Sequence, residues 1–404
     1  DWSSDVCSSD LPYFPGEHLA LMTEVCFWRG LDAGRETLEA GVRVNKKVSL
    51  AFSFLSLSSS PELQHCCAGI YAKDKLRPTS PPLYGGERYK HDRIRIAYVS
   101  ADFRNHAVAH ALCGVLEHHD RTRFAPLAFS LCKREADPIQ RRLAAAFEHF
   151  TDAETLSDER IASLLREKEI DIAVDLMGYT HESRPGIFAR RPAPIQVNYL
   201  GFPGTMGADF MDYIVADRMV IPEEEWRNYS EQAVYLPDSY MPQDSREPCS
   251  ERSWTRADAN LPEDAFVFCC FNNPSRLRLE SFTIWMRLLK AVPGSVLWLV
   301  KPNAWAMRHL IAEAARRGVA AERIVFAPYL ESRGDHLARL ALADLFLDTW
   351  PFGAHSSAAD ALRAGVPVLT YKGAAFASRV AASLLSAAGL PRSEEHTSEL
   401  QSLA

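Results

Sequence analysis

Short apolar runs alternate with helix-patterned stretches twice along this chain, and that alternation limits it to folds built on parallel sheets flanked by helices. The first series is Ile94 to Ser100, Phe124 to Leu131, Ile170 to Met177, Ile195 to Leu200, Tyr213 to Asp217 and Ala233 to Leu236. The second is Phe266 to Asn272, Val296 to Val300, Arg323 to Tyr329, Leu345 to Trp350 and Val366 to Tyr371. Strands covered on both faces read as continuous apolar segments, and helical runs such as Arg141 to His149 and Arg160 to Glu167 stand between several of them. The pattern predicts an α/β chain with two Rossmann-like, doubly wound domains facing a cleft, preceded by a short helical lead-in. Ligands in such sheets bind beyond the carboxyl ends of strands. Chemistry is therefore expected in the loops after Ser100, Met177, Leu200, Phe271, Tyr329 and Trp350.

Prolines and glycines mark the joints. Pro78, Pro81, Pro82, Gly85 and Gly86 give residues 76–92 a linker composition, and Pro242, Pro248 and Pro262 do the same for a second polar stretch. The expected division is a lead-in and linker over 12–92, a first domain over 93–240, a linker over 241–263 and a second domain over 264–391. Residues 1–11 and 392–404 lack periodicity, resemble translated sequencing-adapter sequence and are read as non-native tails; genuine disordered tails are the alternative.

At 404 residues the chain exceeds one ordinary core. With 47% hydrophobic residues, a net charge of −7 and no basic block, it is not expected to use nucleic acid or anionic membrane as its main partner. The nine cysteines include the neighbours Cys66-Cys67 and Cys269-Cys270 but no CxxC, which points to neither a zinc site nor a disulfide framework. No run reaches the ~18 apolar residues of a membrane span, and the acidic start lacks signal-peptide order. A cytoplasmic location is expected.

The most suggestive turn joins the strand ending at Trp350 to a helix through Pro351-Phe352-Gly353-Ala354-His355-Ser356-Ser357. The first N–H groups of a helix lack partners and sit at the positive end of its dipole, so the hydroxyls of Ser356 and Ser357 there suit a phosphate. His355 would add a donor and Asp360 an acceptor. After the next strand come Lys372-Gly373 and Arg379. Asn272-Asn273-Pro274-Ser275-Arg276 closes another strand, where Arg276 could pair with phosphate oxygens. Arg333, His336 and Arg339 follow Ala327-Pro328-Tyr329, the last two sharing a helical face. In the first half, Asp102 to His110 follows a strand and starts a helix. His106 there is either a base or oxyanion donor facing the cleft, or a capping or packed histidine. Gly201-Phe202-Pro203-Gly204-Thr205-Met206-Gly207 could hold a sugar or a phosphate or be a structural turn, and Thr180 could reach a ligand hydroxyl. No Asp-x-Asp occurs, so a metal-bridged diphosphate is not expected.

Together these segments resemble the catalytic region of glycosyltransferase family 41, the O-linked N-acetylglucosamine transferases and their SPINDLY-like relatives. The resemblance spans Ile94 to Pro391 and is most specific at Tyr98 to His106, Arg191 to Gln196, Gly201 to Thr205, Met211 to Ile214, Ser295 to Leu299 and Ala377 to Ser383. It implies a GT-B fold and an inverting, metal-independent transfer of a sugar, N-acetylglucosamine, from a UDP donor to Ser or Thr hydroxyls of a protein or peptide. No cofactor is implied, since the UDP-sugar is a co-substrate. It places His106 near the reacting centre, Thr180, Gly201, Pro203 and Gly204 near the sugar, and Asn273 and Arg276 near the diphosphate. Arg333, His336 and Arg339 fall around the uridine, while His355, Ser356, Ser357 and Asp360 hold the diphosphate and ribose. His106 and Arg276 are the catalytic candidates.

Three positions depart from the family pattern. Arg276 stands for a lysine, His355-Ser356-Ser357 for His-Thr-Thr, and Tyr179 for a histidine common in bacterial members. The lead-in resembles the end of a tetratricopeptide array, and the sequence after Pro391 breaks off where a terminal helix would follow. Two other functions fit the same residues: a nucleotide-sugar-binding or interaction module with little turnover, and a UDP-sugar epimerase of the same fold.

Overall fold

The computed structural model describes residues 11–77, 81–133, 137–246 and 250–390; the expected tails, apart from Leu11, lie outside the described residues. The chain divides into two compact units, one of residues 61–247 and one of residues 1–60 with 248–404. Four helices come first: α1 (Phe14–Glu24), α2 (Leu31–Arg43), α3 (Ala51–Leu57) and α4 (Pro61–Lys75). The lead-in is thus shared, with α1 to α3 in the second unit and α4 in the first. In α2, Leu31, Leu38 and Val42 are buried on one stripe, the amphipathic spacing that ties a surface helix to a core.

The first unit carries β1 (Ile94–Ser100), α5 (Ala107–Glu117), β2 (Phe124–Ser130), α6 (Pro138–Ala146), β3 (His149–Asp152), α7 (Asp158–Glu167), β4 (Ile172–Asp175), α8 (Gly186–Ala189), β5 (Ile195–Asn198), β6 (Tyr213–Ala216) and β7 (Gln232–Tyr235). Its seven strands run in the order β3-β2-β1-β4-β5-β6-β7, all parallel. That is the doubly wound order extended by one strand, with its switch point between β1 and β4.

The second unit continues with β8 (Val267–Cys270), α9 (Leu279–Ala291), β9 (Val296–Val300), α10 (Ala304–Arg316), β10 (Ile324–Ala327), α11 (Arg333–Leu340), β11 (Leu345–Leu347), α12 (Ser356–Arg363), β12 (Val368–Leu369) and α13 (Val380–Ala387). The order is β10-β9-β8-β11-β12, again wholly parallel. Trp298, Leu299 and Phe346 lie in its core. The switch point between β8 and β11 puts the loops after Cys270 and Leu347 side by side.

Two differences from the sequence reading have local causes. The helix expected over 141–149 is α6, which starts earlier because Asp137 accepts the Ile139 N–H at 3.0 Å and Pro138 fits a first turn. His149 instead begins edge strand β3, whose exposed ends carry no apolar run. The strand expected through Trp350 ends at Leu347, because the Asp348 side chain takes the next amide.

Candidate functional site

Asp348 builds the turn after β11. Its Oδ1 accepts the N–H groups of Thr349 and Ala354, both at 2.6 Å, and the Asn272 side-chain amide at 3.0 Å. Its Oδ2 accepts the Thr370 hydroxyl at 2.6 Å. Burial pushes this carboxyl above the usual carboxylate range, and the four hydrogen bonds oppose that rise. Asn272 also donates to Thr349 Oγ1 at 2.7 Å and accepts from the Ser357 hydroxyl, so one buried amide joins the β8 loop to the start of α12.

The turn then meets its neighbours. Gly353 N–H donates to the Ala377 carbonyl at 2.9 Å, and His355 Nε2 lies 3.0 Å from the same oxygen. A ring nitrogen facing a carbonyl must carry the hydrogen, so His355 is the Nε2–H tautomer and Nδ1 is an acceptor. Burial first, and the Arg276 charge second, push the His355 pKa down to about 3. The donor expected of His355 is therefore already engaged within the protein. Arg276 Nη1 donates to the Gly353 carbonyl at 2.9 Å, and its guanidinium lies 3.9 Å from the centre of the Phe352 ring. Arg276, His355 and Ser357 are thus brought to one end of α12, with Ser356 its first residue. His355 makes no side-chain bond to that first turn, which leaves the helix dipole to act on whatever sits there.

Beside it, Arg333 grips Asp360 with a two-pronged pair, Nη1 to Oδ2 at 3.1 Å and Nη2 to Oδ1 at 2.5 Å. His336 Nε2 lies 3.8 Å from Asp360 Oδ2, and Arg339 approaches His336 Nδ1 at 3.4 Å. Arg339 is 2% exposed, donates to the Pro328 carbonyl at 2.6 Å and faces the Phe271 and Trp298 rings. Burial, followed by the Arg339 and Arg333 charges, pushes His336 down to about 4. Asn273 stands apart: it is exposed, and its Oδ1 accepts the Ser275 N–H at 3.0 Å to cap the turn Pro274–Arg276.

In the first unit, His106 caps α5, its Nδ1 lying 3.3 Å from Val108 N and 3.3 Å from Asp102 Oδ2. One nitrogen cannot accept from the amide and donate to the carboxylate at once. The tautomer facing Asp102 leaves Nε2 bare, the form a general base needs. Burial lowers the His106 pKa and the Asp102 charge opposes it; burial raises that of Asp102, with His106 and Arg104 opposing. Thr180 turns its hydroxyl onto the Met177 carbonyl at 2.9 Å. At Gly201 an added Cβ would lie 2.0 Å from the Leu176 carbonyl, so the absence of a side chain there answers an internal contact. Pro203 and Gly204 are buried, and Gly204 accepts from the Asn198 amide at 3.1 Å.

Sequence reasoning passed over Asp102, Asn272 and Asp348 as site residues. Their signal was positional: each is polar, short and within two residues of the carboxyl end of an apolar run. Among the described residues no group of three or more His, Cys, Asp or Glu side chains is placed to hold a metal ion.

Two parallel sheets in Rossmann order, one ending in a turn suited to phosphate, define a GT-B-type α/β protein. The sequence model of glycosyl transferase family 41 matches residues 79–251 and 245–399, and the chain belongs to that family. The "Probable UDP-N-acetylglucosamine--peptide N-acetylglucosaminyltransferase SEC" of Arabidopsis thaliana is 37% identical over 348 residues, 83% of this chain and 35% of the relative. The UDP-N-acetylglucosamine--peptide N-acetylglucosaminyltransferase of Caenorhabditis elegans is 26% identical over 425 residues, 77% of this chain and 37% of the relative. The chain spans about a third of the length of these curated relatives. A point variant of the Thermobaculum terrenum O-GlcNAc transferase has a solved structure that superimposes with a TM-score of 0.78 at 29% identity, covering 96% of this chain and 75% of that one.

Proposed function

We propose that this chain transfers a sugar, N-acetylglucosamine, with inversion from a UDP donor to Ser or Thr hydroxyls of a protein or peptide, using neither a resident cofactor nor a metal. The observation that carries the reading is the Asp348-to-Ser357 turn, which gathers Arg276, Ser356, Ser357 and a helix N-terminus in a member of this family. In the reaction the acceptor oxygen attacks the anomeric carbon in line, the bond to the diphosphate breaks, and the hydroxyl proton passes to a base. Charge grows on the leaving diphosphate. Arg276, the two serine hydroxyls and the α12 dipole are the groups that meet it. Asp360, held by Arg333 and beside His336, takes the ribose side, and His106, oriented by Asp102, is the candidate base. Thr180 and the Gly201 loop belong with the sugar. The partners are the UDP-sugar and a protein acceptor, not nucleic acid or membrane, and the location is cytoplasmic; no helix among the described residues is long and apolar enough to cross a membrane.

The test is transfer of labelled N-acetylglucosamine from UDP to a Ser/Thr peptide, with and without EDTA. Label on peptide, UDP release and indifference to EDTA are expected. His106→Ala should lower transfer at least about tenfold while leaving UDP affinity nearly unchanged. UDP binding without release, or label that stays on free sugar, overturns the reading in favour of a binding module or an epimerase.

A further inference from the structure

One buried carboxylate ties down the loop after β5. Glu231, 5% exposed at the entry to β7, accepts the Met206 N–H on Oε1 at 2.7 Å and the Thr205 hydroxyl on Oε2 at 2.6 Å. The Thr205 oxygen itself accepts the N–H groups of Gly207 and Ser230, each at 3.1 Å. With both acceptor positions filled by amides, that hydroxyl has only its hydrogen to offer, and Glu231 receives it. Both carboxylate oxygens are therefore required as acceptors. Burial raises the Glu231 pKa, and bonds to Thr205, Met206 and nearby backbone oppose the rise.

The same loop is held from other sides. The Tyr179 hydroxyl donates to the Met206 carbonyl at 2.6 Å, and the Asn198 amide to Gly204. Gly207 has a φ of +60°, and a Cβ there would lie 2.4 Å from the backbone nitrogen of Gly69 in α4. Displacing the segment from Gly204 to Gly207 breaks several of these contacts together. A loop fastened this way offers one backbone shape, and pre-set geometry is what an in-line displacement needs.

We propose that Glu231 is a positioning residue for sugar transfer: by fixing Thr205, Met206 and Gly207 it sets the geometry that the Gly201–Gly204 segment presents to the donor sugar. The inference rests on the transfer function proposed above and deepens it. Glu231 acts through the loop and not on the reacting atoms. Glu231→Gln keeps the shape but puts an NH2 group where an acceptor is needed, against either the Met206 N–H or the already saturated Thr205 oxygen. Thr205→Val removes the hydroxyl at nearly constant shape, and Thr205→Ser restores it.

The experiment combines kinetics, UDP calorimetry and hydrogen exchange at residues 204–207 on the whole chain. Glu231→Gln and Thr205→Val should each lower kcat by about tenfold or more, leave the Kd for UDP within about twofold, and speed exchange at 205–207, while Thr205→Ser stays close to the unaltered protein. Unchanged exchange in Glu231→Gln and Thr205→Val overturns the fastening whatever the activity. Faster exchange with undiminished kcat, or equal losses in kcat and UDP affinity, overturns the positioning role. If the unaltered chain binds UDP and shows the exchange pattern yet transfers no sugar, the transfer function fails, and the positioning role fails with it while the fastening stands.

Discussion

His355 has one ring hydrogen while neutral, and it is committed to the Ala377 carbonyl at 3.0 Å. To donate to a phosphate as well, the ring would have to take a second proton on Nδ1. Burial pushes its pKa down to about 3, so protonation at pH 7 requires the ligand to raise it by about four pKa units, or ~5.6 kcal/mol at ~1.4 kcal/mol each. A hydrogen bond to a charged group returns about 1.5 to 3 kcal/mol. The cost exceeds the return, so on the proposed function the ring stays neutral and supports UDP by holding the Ala377 carbonyl, with Nδ1 open only to an N–H or O–H. His355→Ala should then weaken UDP binding by about 1 to 3 kcal/mol. His355→Gln, which can donate from its amide to the same carbonyl, should recover most of that loss. Calorimetry at pH 7 in two buffers of different ionisation enthalpy should show no proton taken up with UDP. Uptake approaching one proton per UDP, or a Gln variant as weak as the Ala variant, would refute the assignment.

Two further outcomes follow from the second unit. Asp348→Ala leaves four donors without their acceptor and should cost about 2 to 4 kcal/mol once the relief of a buried charge is counted, whereas Asp348→Asn, keeping an oxygen toward Thr349, Ala354 and Asn272, should cost about 1 kcal/mol; hydrogen exchange at the Ala354 amide distinguishes them, and equal losses would mean that charge, not geometry, holds the turn. His336 is pushed from its unfolded value of about 6.5 down to about 4, so its contribution to stability is fully present above the higher value and is lost as pH falls through that window. The resistance of the second unit to urea should fall from pH 6.5 to 4, with a flatter profile in His336→Gln; identical profiles would count against the buried neutral ring.

The sheets were legible because parallel strands buried on both faces need continuous apolar residues. Ile94–Ser100 and Val296–Val300 have the bounds read from sequence. Strand β3 was not legible, since His149 and Asp152 are exposed at a sheet edge and carry no apolar signature. At the site, Arg276, His355 and Ser357 could be named from their place at a strand-to-helix turn. What they bond to could not. Nothing in the letters says that Asn272 is buried between Asp348, Thr349 and Ser357 while its neighbour Asn273 is exposed and caps a turn. Nor does spacing reveal that the Asp360 carboxylate, which read as an acceptor for a ligand, is gripped by Arg333. Burial and pairing are set by long-range packing, and a polar residue looks the same in sequence on either side of the surface.

A shared device shapes the turns that follow strands in both sheets. At the carboxyl end of a buried parallel strand, the amides of the next turn leave the ladder and yet remain shielded from water, so they need acceptors. Aspartate is short enough to supply them from the strand end itself. Asp175 accepts the N–H groups of Met177 at 2.8 Å and Gly178 at 3.1 Å, and Asp217 those of Met219 at 2.8 Å and Val220 at 2.9 Å. Asp348 does the same for Thr349 and Ala354. Burial pushes the Asp175 pKa up to about 7, against the opposing hydrogen bonds from Met177 and Gly178. Asp175 and Asp348 fix the turns that lead to Thr180 and Ser356, residues expected to touch substrate. A substitution at one of them should therefore act on the shape of a whole loop, so that its effect on catalysis and its effect on local stability move together, whereas a change at His106 or Ser356 should separate the two.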